Sequence, residues 1–245
     1  MKITKLLPLL GLALLVLASC KKKSDDTDNN TPTVDANGNL RVASDADGAV
    51  YAIKMHLHEG HNGTSVDEMY TAYAWFGSQT AFKPAGEVKV NGYDLMNFGG
   101  INYYGYAGFD QLFPNNTATW TVQGDAAAGV PGFTHTDNTA FASGGQFTLP
   151  ASININNSFT LNFTPINNVA GVVFSIIGNN GEKHKAVANG ASSVTFTSAE
   201  MKEVAYTQDQ IGFQITSVAY TQQTINGKKI YFVKQNQHAR ETVTQ

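Results

Sequence analysis

The sequence predicts an all-β protein, two immunoglobulin-like or fibronectin-like β-sandwiches in tandem. Three observations carry that prediction. Charged residues are only 14% of the chain while Gly numbers 23, so long polar-faced helices have little material. Short runs of alternating apolar and polar residues recur, separated by Gly and Asn. Asn226-Gly227, set between Thr224-Ile225 and Lys228-Lys229-Ile230-Tyr231, supplies the positive φ that a two-residue hairpin turn requires.

The first residues have a separate plan. Met1-Lys2-Ile3-Thr4-Lys5 is basic, and Leu6 to Leu17 is apolar, about a dozen residues, too short to span a bilayer and suited to an export signal. Leu17-Ala18-Ser19 precedes Cys20, the single cysteine. This run resembles the signal peptides of bacterial lipoproteins. The resemblance implies that residues 1–19 are removed and that Cys20 is lipidated, a stable anchor when more than one acyl chain is attached. With Cys20 so used, no thiol remains for a disulfide, a metal or catalysis. Residues 20–39 are polar and without apolar period, which predicts a flexible tether. Its Lys21-Lys22-Lys23-Ser24-Asp25-Asp26 stretch resembles the export signal of Bacteroidota surface lipoproteins, implying the outer membrane with the body facing the cell exterior.

Residues 40–157 are expected to form the first sandwich. Asp45-Ala46-Asp47-Gly48 reads as a turn, since it lacks the further ligands of a calcium loop. Ala49 to His58 alternates, with Tyr51, Ile53, Met55 and Leu57 on one face and Lys54, His56 and His58 on the other. Met69–Phe76, Glu87–Val90, Ala118–Val122 and Phe133–Thr136 are further strand-like runs. One larger sandwich is the alternative, because no proline-rich or charged linker divides the chain.

Residues 158–245 are expected to form the second, immunoglobulin-like sandwich, with the boundary between Gly144-Gly145 and Asn156-Asn157. Ser158–Thr164 alternates, and Gly171–Ile177 is nearly all apolar, as in a strand buried on both sides. Thr197-Ser198-Ala199-Glu200 has capping-box spacing and predicts a turn of helix over 199–204. Ile211–Tyr220 and Lys228–Val233 complete the strands. In its strand-and-turn series the mature chain resembles uncharacterised Bacteroidota lipoproteins with β-sandwich bodies, which implies location and fold but no activity.

Two clusters could carry function. His56, His58, His61 and Glu59 are the densest group of ligand-type residues; strand positions two apart share a face, so the first two histidines could reach one zinc, nickel, copper or haem iron. An ordinary solvent-facing strand is the simpler reading. Tyr103, Tyr104, Tyr106 and Phe109, with Trp120, form either edge-strand packing or a platform for sugar rings. The formal net charge of −3 disfavours nucleic acid, and no nucleophile, phosphate-loop or dinucleotide motif is present, so no enzyme and no cofactor is expected. The expected function is a lipid-anchored surface binding or adhesion protein for a glycan or protein. A metal- or haem-binding lipoprotein and a structural accessory subunit are the alternatives.

Overall fold

The structure, a computed structural model, describes residues 45–245 apart from 65, 79–80 and 99, together with the backbone of two short strands ahead of them. The leader and Cys20 lie outside the described residues. In chain order the strands are β1 (Thr33–Val34), β2 (Leu40–Arg41), β3 (Gly48–His58), β4 (Val66–Ser78), β5 (Ala81–Phe82), β6 (Val88–Val90), β7 (Tyr93–Asp94), β8 (Met96–Phe98) and β9 (Tyr103–Gly108). There follow β10 (Ala118–Val122), β11 (Phe133–Asp137), β12 (Ser152–Ile153), β13 (Phe159–Asn162), β14 (Gly171–Gly178), β15 (Gly181–Val187) and β16 (Ser193–Phe196). Helix α1 (Ser198–Val204) precedes the long pair β17 (Gln210–Ile225) and β18 (Lys228–Thr244). The first pair corrects one expectation: β1 lies within the stretch read as tether and pairs with β2.

The all-β class holds, but the two halves share a sheet. A ten-stranded sheet runs β15-β14-β17-β18-β3-β4-β9-β8, with β12 and β5 attached beside it. The hairpin β17–β18 turns at Asn226-Gly227 as its sequence requires, and β18 then pairs in parallel with β3, from Ile230 opposite Gly48 to Ala239 opposite Leu57. No boundary at 157 separates these strands.

Register fixes which side chains share a face, because paired residues point the same way. On one face Val50 meets Ala74 and Phe232, and these join Tyr104, Trp120, Val88 and Val90 in a first core beneath the four-stranded sheet β11-β10-β6-β7. On the same face Phe213 and Ile215 of β17 meet Ile176 and Phe174 of β14 in a second core, closed by β13, β16 and α1. The first core draws on residues 50–141 plus three from the final hairpin, and the second on 142–215. The change from one core to the other falls between Phe141 and Ala142, ahead of the stretch 144–157 in which the boundary is expected.

Helix α1 starts where predicted. Thr197 Oγ1 accepts from the Glu200 N–H at 3.3 Å, and Glu200 Oε2 accepts from the Thr197 N–H at 2.7 Å. Met201 and Val204, on the inner side, are buried in the second core. Thr197→Ala should cost about 1 kcal/mol, read as a lowered urea midpoint with an unchanged slope; a slope change would mean that more than the cap was lost.

Candidate functional site

The segment 138–151 has almost no regular structure, yet it crosses the large sheet between the two cores. It is tied down by alternate side chains of β18. Lys234 Nζ donates to the carbonyls of Asn116 at 2.7 Å, Asp137 at 3.0 Å and Thr139. Asn236 Nδ2 donates to Ala142 O at 2.8 Å, Arg240 Nε to Phe147 O, and Thr242 Oγ1 to Pro150 O at 2.7 Å. His238 is hydrogen-bonded to the Gly144 backbone. Successive β18 residues thus meet successive strap residues, and strap and strand run in the same direction. Gly145 permits the close approach: its φ is +83°, and a Cβ there would lie 3.2 Å from His238 Cδ2, Ile166 Cδ1 and Ile215 Cγ2.

Beside β18, strand β3 brings in two of the predicted histidines. Parallel register places His56 opposite His238, and their rings stack with centroids 4.3 Å apart; His58 lies 5.4 Å from His238 by the same measure. The proton positions follow from the donors. Arg240 can only donate, and its Nη2 lies 3.1 Å from His58 Nδ1, so that nitrogen accepts. The His58 proton then sits on Nε2 and is donated to His238 Nδ1 at 3.1 Å. His238 in turn keeps its proton on Nε2. In the neighbouring chain of bonds, Asn236 donates through Nδ2, so its Oδ1 accepts from His56 Nε2 at 3.0 Å. His56 Nδ1 faces Glu68 Oε1 at 3.4 Å, a carboxylate also bridged by Lys54 at 2.9 Å.

Burial, with Arg240 and His56 adding repulsion, lowers the His58 pKa to about 4. Burial, with His56 and His58 beside it, lowers that of His238 to about 3. His56 is also lowered, first by burial and then by Lys54, with Glu68 opposing. At neutral pH the pair His58–His238 is therefore uncharged.

This geometry corrects the expected ligand cluster. His56 and His58 do share a face, but they are half-buried beneath the strap, and their companions are His238 and Asn236 from a strand 180 residues away. Glu59 is exposed in the turn after β3, and His61 is half-buried there, its carbonyl accepting from Leu149 N at 2.7 Å. The facing nitrogens of His58 and His238 are consumed by hydrogen bonds, and a guanidinium stands against the first. Among the described residues no group of three or more His, Cys, Asp or Glu is arranged to hold a metal ion.

The aromatic stretch divides between core and surface. Tyr104 is buried, its hydroxyl accepting from Ala85 N at 2.8 Å, and Trp120 is 1% exposed. Tyr103 belongs to the other face of the sheet, where Tyr51 stacks on Tyr73 at 4.2 Å and Tyr73 on Tyr103 at 5.6 Å. Tyr106 is half-buried against Tyr93, and only Phe109 of the predicted four is exposed, at 62%. The surface signal lies just before it. Of eight exposed large hydrophobic side chains among the described residues, five come from residues 93–109: Tyr93 on β7, Met96 and Phe98 on the edge strand β8, and Ile101 and Phe109 beyond the two ends of β9. Sequence reading passed over Met96, Phe98 and Ile101 because no alternation marks so short a strand.

No family model and no curated protein matches the chain. Among solved structures it is similar to a chain of the crystal structure of Dpr11 IG1 bound to DIP-gamma IG+IG2, at 4% identity and a TM-score of 0.19, covering 78% of this chain and 98% of that one. The all-β class rests on the strands themselves. No helix among the described residues is long and apolar enough to cross a membrane.

Proposed function

We propose that the protein is a binding or adhesion module displayed on the outer face of the outer membrane through lipid on Cys20, and that it engages a protein partner along the β8–β9 edge. Exposed Met96 and Phe98, side by side on one face of the edge strand β8, with exposed Ile101 in the turn that follows, carry this reading. Apolar side chains gathered in this way mark contact surfaces, whereas singly scattered ones do not. The opposite edge strand, β15, is dressed differently: Lys183 and Lys185 are bridged to Glu203 and Glu200, charges that discourage edge pairing. β8 carries no charge. The edge offers apolar surface with little to hydrogen-bond a sugar, which favours a protein over a glycan. The role needs no catalysis.

A photo-crosslinking amino acid at Ile101, in the full chain on intact cells, should give discrete protein adducts that Met96→Asp/Phe98→Asp removes. Equal adducts from a probe at exposed Lys202 on α1 would overturn the assignment. The anchor has its own readout. Metabolic labelling with an alkyne fatty acid should tag the chain, and Cys20→Ser should abolish the tag.

A further inference from the structure

We propose that the His58–His238 pair is an acid-released latch, and that putting protons on it frees the strap 138–150 from β18 while the sheet beneath stays folded. The hydrogen-bond directions require this. His58 Nδ1 accepts from Arg240, and His238 Nδ1 accepts from His58. A proton added to either acceptor nitrogen sets two donors against each other about 3.1 Å apart. There is no spare acceptor for it. His56 differs, since a proton on its Nδ1 would face the Glu68 carboxylate.

The charges around the pair act in the same direction. Strand β18 supplies Lys234 and Arg240, β3 supplies Lys54 and His56, β4 supplies Glu68, and Asp137 stands at the start of the strap beside Lys234. From β17, Ser217 is uncharged and donates to Asn236 O. Glu68 already bridges Lys54, and Asp137 already faces Lys234. An added imidazolium therefore meets an excess of cations.

The attachment is also local. Asn236, His238 and Arg240 hold the middle of the strap, and His61 holds Leu149; Arg240 also binds the carbonyls of Gly60 and Gly63 in the turn that carries His61. Lifting this stretch withdraws Phe147 and Leu149 from the second core, Phe147 from its place 5.3 Å from Phe174, and breaks the bridge to Phe163, but leaves the backbone pairing of β14 with β17 in place. A released imidazole titrates near 6.5, while the held ones titrate near 4 and 3, so the folded pKa values are depressed. The stabilisation is complete above pH 6.5 and is lost as pH falls towards those values. Each freed histidine can raise the opening constant by up to roughly 50-fold between pH 6.5 and 4.5.

Amide hydrogen exchange on the full chain, corrected for intrinsic rates, tests the latch. The Gly145 and Leu149 amides, bonded to Thr164 O and His61 O, should exchange at least about tenfold faster at pH 4.5 than at pH 7, with Phe174 in β14 unchanged. His238→Gln should flatten that dependence, and His56→Gln should leave it. Should His238→Gln fail to fold, NMR titration of the wild-type imidazoles decides: His58 and His238 must take up protons over the range in which the strap opens. Strap exchange that ignores pH, or that rises together with Phe174, overturns the proposal.

Discussion

Residues 158–245 produced alone are expected to show no cooperative unfolding transition, and residues 40–157 alone the same. Each piece would lose strands from the middle of one sheet. In the first, β18 would keep β17 but lose β3 along ten paired positions, from Ile230 to Ala239. Ile230 and Phe232, fully buried in the first core, would face water. Lys234, Asn236, Arg240 and Thr242 would lose the strap carbonyls they now satisfy. A buried polar group left without its partner costs about 1–3 kcal/mol, and four such losses approach the roughly 5–15 kcal/mol that holds an ordinary domain together. The second piece would lack the strand that lies between β3 and β17, so its first core would be open along one side. Circular dichroism during a urea titration reads the result directly. A sigmoidal transition in either piece would mean that the halves fold as separate domains after all.

Most strands and both ends of the helix were legible because their signals are local. The alternation of β3, the apolar run of β14, the capping box of α1 and the Asn-Gly turn of the final hairpin each sit within a few residues. β15 escaped because Gly181-Glu182-Lys183-His184-Lys185 reads as a surface loop, and an edge strand with guarding lysines has that composition. The largest miss was the second half of β18. Lys234-Gln235-Asn236-Gln237-His238-Ala239-Arg240 carries one apolar residue in seven, and every one of the seven is buried. Hydrophobicity cannot find such a strand. Its alternate residues Lys234, Asn236, His238, Arg240 and Thr242 do repeat with period two, and a reading that scored side-chain length and donors would have seen them as one face. What no local rule supplies is the partner: the strap lies about 90 residues earlier and β3 about 180. For the same reason His56 and His58 were found as a pair but assigned the wrong companions.

Lys234→Met should destabilise the protein by about 3–5 kcal/mol, and adding Asp137→Asn should restore much of the loss. The lysine side chain is 1% exposed and the aspartate 5%, with Nζ 3.6 Å from Oδ2. Burial lowers the lysine pKa, and the aspartate opposes that shift. Three backbone carbonyls complete the ammonium's shell, while Asp137 Oδ1 accepts from Thr139 N at 2.8 Å. Methionine matches the stem in length and keeps the contact with Phe141, over whose ring Nζ now sits at 5.3 Å. The single variant therefore isolates the charge: it strands a buried carboxylate and three carbonyls. In the double variant the carboxylate is gone, and the amide oxygen that replaces it can still accept from Thr139 N. At a urea slope of about 2–3 kcal/mol per molar, the single change should move the midpoint down by roughly 1–2 M. A shift equivalent to less than about 1 kcal/mol would show that water reaches the pair and that the strap's first anchor is weaker than its geometry implies.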